Sequence, residues 1–154
     1  IPDYEVKSLN INTVNGTYEA EVVLPNYGRH TIYLIAQHPT KGTSKLAYNV
    51  LYNPNENDYT RRAWVYDKKI TTNPDAFNNK IFLLENVEIL EVLDTETTMF
   101  RINMGTQEDP QWLVIEYFGT KTINKGDKIR IFGDVQGRYQ DTTKVVARFI
   151  YSAQ

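Results

Sequence analysis

The chain has 154 residues, 41% of them hydrophobic and 12% aromatic, which excludes a disordered polymer and provides enough apolar side chains for one domain or two small ones. Its formal net charge is −2, which excludes a strong overall positive field for attracting nucleic acid or anionic lipid. The absence of cysteine excludes disulfides, thiolate metal sites and cysteine nucleophiles.

Residues 4–52 have the pattern of short strands joined by turns. Tyr18, Ala20, Val22 and Leu24 alternate with polar positions and predict a half-buried strand. Asn15-Gly16 predicts a tight hairpin between this strand and the segment 6–14. Further strands are predicted over 31–37 and 45–52, with turns at 25–28 and 38–43, and the half shows no helical periodicity.

This first half resembles the closing strands of bacterial immunoglobulin-like domains on exported Gram-positive proteins. The resemblance is carried by residues 15–18, by Val22, Leu24 and Pro25, and by residues 27–33. It implies a partial Ig-like β domain over residues 1–53, because the earlier strands of a full sandwich have no counterpart. The chain opens at Ile1 without methionine, so we expect an N-terminal signal or anchor upstream of it.

Residues 54–76 are predicted to form a linker and a docked segment. The stretch 53–58 is polar and contains proline, which favours a linker. Its alternating oxygen ligands are similar to those of a calcium loop, but Asp58 stands where that loop needs glycine, and Trp64 where it needs glutamate. Residues 61–66 predict a short strand or docked segment, and 73–77 a helical turn with Pro74 at its first position.

Strands return from residue 80 and predict a five-stranded, OB-like barrel over residues 77–154. The predicted strands cover 81–93, 99–104, 112–118, 128–137 and 145–151. In the first, the apolar face switches between Ile89 and Leu90, which indicates a bulge. The fourth follows the turn Lys125-Gly126-Asp127 and contains Gly133, which favours a bend between two sheets of a small barrel.

The second half resembles the OB-fold domains of secreted Firmicute surface proteins and lipoproteins. The matching runs are 86–92, 100–102, 113–117, 125–127 and 133–137. Together the two resemblances imply an all-β fold, in which a five-stranded OB-like barrel is preceded by a small Ig-like antiparallel sheet. They also imply an extracellular, cell-surface location.

No motif for catalysis or for a cofactor is present. His30 and His38 lack a third ligand at zinc spacing. There is no phosphate loop, no GxSxG and no HExxH. Neighbouring carboxylates fall in predicted loops, at Asp94, Glu96, Glu108 and Asp109. We therefore predict that the chain is not an enzyme and binds no metal or cofactor.

Aromatic and basic side chains on the barrel strands are the candidates for ligand binding. OB folds bind single strands by stacking bases on aromatic rings and contacting phosphates with Arg and Lys. The candidates are Met99, Arg101, Trp112, Arg130, Phe132, Arg138 and Tyr139. The alternative is that the aromatic residues are core and the arginines pair with nearby carboxylates.

The sequence thus predicts a non-catalytic binding or structural module of a Gram-positive cell-surface or lipoprotein component. Its partner would be a protein, a peptide or a glycan at the cell envelope. Single-stranded nucleic-acid binding through the OB face is the alternative, and the acidic charge balance disfavours it. No apolar run approaches the roughly 20 residues of a membrane span.

Overall fold

The computed structural model describes residues 4–153. The chain forms two compact units, Ile1–Asn53 and Pro54–Gln154. Strands dominate both units, and the helices are short. The all-β prediction is therefore confirmed.

The first unit consists of two β-hairpins. Its strands are β1 (Glu5–Asn12), β2 (Thr17–Val23), β3 (Gly28–His38) and β4 (Gly42–Tyr52). β1 pairs with β2, and β3 with β4, both antiparallel. The hairpin predicted at Asn15-Gly16 is confirmed: Gly16 has φ +69, and the Asn15 side chain accepts from the backbone N–H of Thr17 at 3.2 Å.

The two hairpins of this unit form separate two-stranded sheets rather than the single small sheet that was predicted. Among the described residues, no ladder joins β2 to β3. The hydroxyls of Tyr18 and Tyr48 meet at 2.7 Å, which joins β2 to β4. Among the described residues of this unit only Gly28 and His30 are buried, so it has almost no core of its own.

Residues 54–77 are folded rather than an extended linker. They form α1 (Glu56–Arg61), β5 (Trp64–Val65), α2 (Lys69–Thr72) and a 3-10 turn, Pro74–Phe77, which confirms the predicted helical turn. The side chain of Asn55 caps α1 by accepting from the N–H of Asp58 at 3.2 Å. This cap uses part of the polar stretch that predicted a linker.

A seven-stranded sheet makes up the rest of the second unit. Its strand order is β5-β6-β10-β11-β9-β8-β7, and only β5–β6 and β9–β11 are parallel. The strands not yet given are β6 (Ile81–Glu88), β7 (Glu91–Leu93), β8 (Thr98–Asn103), β9 (Trp112–Tyr117), β10 (Lys128–Tyr139) and β11 (Thr142–Ser152).

The predicted first strand, 81–93, is split into β6 and β7 at the face switch. Ile89 is fully buried, whereas Leu90 lies on the outer side. The N–H of Ile89 donates to the carbonyl of Asp127 at 3.0 Å, and that of Leu90 to the carbonyl of Arg101 at 3.0 Å. Because β6 and β7 lie near opposite ends of the sheet and only two residues separate them, the sheet must curl back on itself.

The core lies on the inner side of this curled sheet. Gly133 allows β10 and β11 to approach closely: a Cβ there would lie 2.7 Å from Cγ1 of Val145 and 2.8 Å from the carbonyl oxygen of Val146. The ladder is irregular between Phe132 and Gly133, as the predicted bend requires. Fully buried core side chains include Phe82, Leu84, Ile89, Phe100, Ile102, Leu113, Ile115 and Ile131.

Candidate functional site

The loop between β8 and β9 is held by hydrogen bonds and places Trp112 on the outer face of the sheet. The side-chain oxygen of Asn103 accepts from the N–H of Gly105 at 2.9 Å and from that of Gln111 at 2.8 Å. The N–H of Met104 donates to the carbonyl of Gln111 at 2.9 Å. Gly105 leaves no room for a Cβ against the backbone oxygen of Asp109. These contacts fix the backbone from which Trp112 projects.

Trp112 stands between two adjoining depressions, which we call the Trp112 groove. The larger, about 750 Å³, is lined beside Trp112 by Leu90, Glu91, Val92, Arg101, Lys125 and Thr142. The smaller, about 500 Å³, shares Leu90 and Trp112 and is completed by Asn86, Glu88, Asn103, Gln107 and Pro110. Both volumes are within the range typical of ligand sites.

Strand register brings the polar residues of the groove together. Glu91 on β7 lies opposite Arg101 on β8, and their side chains form an ion pair at 3.3 Å. Asn103 lies opposite Trp112 at the start of β9. The indole is 45% exposed, and no described aromatic ring or cation stacks on it. The exposed part of the Trp112 indole is therefore open to a ligand.

The groove has balanced charge. Arg101 and Lys125 line it, and so do Glu88 and Glu91. Within the described part of the chain, only the Arg101–Glu91 pair among these four forms an ion pair. The electrostatic field in the groove is thus not that of a phosphate-binding cleft, where positive charge is in excess.

The structure brings together only some of the predicted binding residues. Arg101 and Trp112 share the groove. Met99 is on the same strand face as Arg101 but is 5% exposed, so it offers little surface to a ligand. Arg138 pairs with Asp75 at 3.6 Å, near the end of β10. Tyr139 is half-buried at the last position of that strand.

Arg130 and Phe132 belong to a different cluster, on β10. The guanidinium carbon of Arg130 lies 5.2 Å from the ring centroid of Tyr151 and 5.8 Å from that of Phe132. Tyr151 donates a hydrogen bond to Glu56, and burial followed by this bond raises the pKa of Tyr151 to about 12. The Arg130 guanidinium and the Phe132 ring therefore pack against Tyr151, while Nε of Arg130 is buried without a hydrogen-bond partner among the described residues.

Sequence reasoning missed most of the groove. Leu90, Glu91 and Lys125 line it but were not among the candidates. The face switch at Leu90 was a usable signal, since the residue that leaves the core at a bulge must face outward. For Glu91 and Lys125 the sequence holds no comparable signal.

A buried polar cluster fastens α1 to the outer face of β10 and β11. Arg148 donates to both carboxylate oxygens of Asp134, at 2.7 and 3.0 Å, and Tyr59 donates to the same carboxylate at 2.5 Å. Gln136 donates a further hydrogen bond at 2.5 Å. Tyr59 is 1% exposed and packs edge-on against Phe149 at 5.7 Å. The cluster closes this part of the sheet to ligands.

The contribution of this cluster to folding stability depends on pH through the hydroxyl of Tyr59. Burial, and next the negative charge of Asp134, raise the pKa of Tyr59 well above its ordinary 10.0. Burial also raises the pKa of Tyr66 to about 12. A tyrosine whose pKa is higher in the folded chain than in the unfolded one contributes full stability below pH 10 and loses it as pH rises through the folded value.

We therefore expect the unfolding free energy to fall above about pH 10, by up to about 1.4 kcal/mol per pH unit for a buried tyrosine. Tyr59→Phe should be less stable at pH 7, by about 1.5–3 kcal/mol, because a hydrogen bond to a charged group is lost. The same variant should show a shallower decline between about pH 10 and pH 12. Urea unfolding across this pH range measures both effects, and an unchanged slope in the variant would contradict the assignment.

Other predicted ligand groups have local structural roles. The ring of His30 hydrogen-bonds to the carbonyl of Asn26 at 2.7 Å. Nδ1 of His38 accepts from the N–H groups of Thr40 and Lys41, both at 3.2 Å, and so stabilises the turn of its hairpin. Within residues 4–153 no three His, Asp or Glu side chains are grouped to hold a metal ion. No helix in the same range is long and apolar enough to cross a membrane.

Comparison of the chain with protein-family models, with curated proteins and with solved structures gave no match.

Proposed function

We propose that the chain is a non-catalytic binding module of a bacterial cell surface, and that its ligand occupies the Trp112 groove. One observation carries the proposal. Trp112 is 45% exposed within a groove at the start of β9, and no described aromatic ring or cation packs on it. Exposed aromatic rings in concave sites are typical of ligand recognition.

We further propose that the second unit is an OB-like barrel. If β6 and β7 are counted together as strand 1, then β8, β9, β10 and β11 are strands 2, 3, 4 and 5. The strand order is then 1-2-3-5-4, and the β6 part of strand 1 pairs in turn with strand 4. That order supports the proposal, since it lets one bent strand close the sheet. OB folds bind ligands on the face of their second and third strands. Here those strands are β8 and β9, which carry Arg101 and Trp112.

For the first unit we propose a partial Ig-like domain. The hairpins of this unit are joined by the Tyr18–Tyr48 contact, and rings of Tyr27 and Tyr52 pack at 5.0 Å. The extracellular setting, with a signal or anchor upstream, is supported by the resemblance of both halves to domains of exported Gram-positive proteins. In that setting the unit would act as a spacer or docking element.

Nucleic-acid binding is the second candidate function. It is favoured by Arg101 and Lys125, which line the same groove as Trp112. It is opposed by Glu88 and Glu91 in that groove and by the chain's net charge of −2. A phosphate chain in the groove would approach both carboxylates, which is unfavourable.

The binding function can be tested with intrinsic fluorescence, because the chain has two tryptophans. Trp64→Phe makes Trp112 the sole tryptophan and therefore a reporter of the groove. Neutral hexasaccharides, an oligo-dT and a proline decamer are titrated into this variant, and we expect one class to shift its emission. The reciprocal variant, Trp112→Phe, reports from Trp64 and should show no shift. If no class changes the emission of Trp112, the groove is not the binding site.

A further inference from the structure

We infer that the Trp112 groove selects a neutral oligosaccharide, an inference that rests on the binding function proposed for this groove. The first support is the charge balance of Arg101 and Lys125 against Glu88 and Glu91. A polyanion gains little from such a lining, because attraction to two cations is offset by repulsion from two carboxylates. A neutral ligand meets no such repulsion.

The second support is the open indole of Trp112. The face of an aromatic ring is negative and its edge positive, so the face attracts C–H groups that carry partial positive charge. The C–H groups on one side of a pyranose ring have that character, since each carbon bears an electron-withdrawing oxygen. The indole is 45% exposed, and the apolar side chains of Leu90 and Val92 line the same depression, so that the three form an apolar platform for a sugar ring.

The third support is the chemistry of the polar side chains around the platform. Asn86, Glu88 and Gln107 line the smaller depression. Throughout residues 4–153, none of these three side chains forms a salt bridge or a side-chain hydrogen bond. Sugar hydroxyls both donate and accept, so they satisfy amides and a carboxylate at the same time.

The fourth support is the extended shape of the site. The two depressions share Leu90 and Trp112, so a linear ligand would run across the indole from one to the other. The groove lies on the face of β8 and β9, and Glu91 and Val92 of β7, the end strand of the sheet, line it as well.

The test is titration calorimetry on the full chain, with three probes at about 50 mM NaCl. The probes are neutral hexasaccharides of β-linked glucose or N-acetylglucosamine, an oligo-dT and a proline decamer. We expect a hexasaccharide to bind, with an affinity that is unchanged at about 500 mM NaCl, because no counterions are released. Trp112→Ala should weaken binding about tenfold or more, whereas Trp64→Ala, the matched exposed tryptophan, should change it less than about twofold.

A charge variant separates the two ligand classes by the sign of its effect. Glu88→Gln should weaken saccharide binding, because it removes a charged acceptor for hydroxyls. The same variant should strengthen binding of oligo-dT, because it removes repulsion of phosphate. Thermal melting of each variant checks that the fold is retained.

The outcomes distinguish failure of the saccharide inference from failure of the proposed binding function. If oligo-dT or the proline decamer binds in the groove and no hexasaccharide does, the saccharide inference is overturned and the binding function stands. If no probe binds the wild-type chain, both are overturned. Saccharide binding that survives Trp112→Ala would also overturn the inference, since the groove would then not be its site.

Discussion

Asp134→Asn is expected to lower the unfolding free energy by about 3–5 kcal/mol, because it removes one partner of a buried ion pair. The side chains of Asp134 and Arg148 are each 7% exposed, and the guanidinium meets the carboxylate through two nitrogens. Burial opposes the charge of Arg148, but the hydrogen bonds and charge of Asp134 outweigh it and raise the pKa of that guanidinium. Asparagine keeps the shape and removes the charge.

Urea unfolding at pH 7 measures this effect, and Asp75→Asn is the matched control. Asp75 also pairs with an arginine, Arg138, but at 3.6 Å and with 77% of its own side chain exposed. Exposed pairs contribute about 0–1 kcal/mol, so the control should stay within that range. Equal losses in the two variants would show that the buried cluster does not hold α1 on the sheet.

Gly133→Ala is expected to destabilise the chain by about 3 kcal/mol, the upper end for an added methyl group in a packed core. The new Cβ would lie 2.7 Å from Cγ1 of Val145 and 2.8 Å from the carbonyl oxygen of Val146. The second of these atoms belongs to the backbone of β11, so relief requires the two strands to separate. Urea unfolding again gives the measurement.

The double variant Gly133→Ala with Val145→Ala tests whether the clash is the cause. Removing the Val145 side chain takes away one of the two close contacts. The double variant should therefore lose less stability than the sum of the two single variants, by about 0.5 kcal/mol or more. Simple additivity would indicate that Gly133 is needed for another reason than close approach of β10 and β11.

Much of the strand pattern was predictable because it depends on local chemistry. Asn15-Gly16 forms the predicted turn, and the four strands of the first unit overlap the segments predicted as strands, two of which were identified by alternation. The helical turn at Pro74 also follows from the conformational limits of a single residue. These features need no information from distant parts of the chain.

The candidate site was only partly predictable. Arg101 and Trp112, two of the candidates from neighbouring strands, share the groove. Arg130 and Phe132 had the same outward pattern on β10, but Tyr151 packs beside them. Alternation shows that a side chain leaves the core; it does not show what lies on the other side of the sheet.

The sequence by itself determined the all-β class, the strand order along the chain and the turns, since each is set by residues within a few positions of one another. Only the tertiary structure decided which outward faces are covered. Tyr59 hydrogen-bonds to Asp134 across 75 positions and covers one part of the sheet, while Leu90 and Lys125 line the groove beside Trp112, which stays open. Such contacts depend on how the sheet curls, and the curl results from the summed packing of the core rather than from any local pattern.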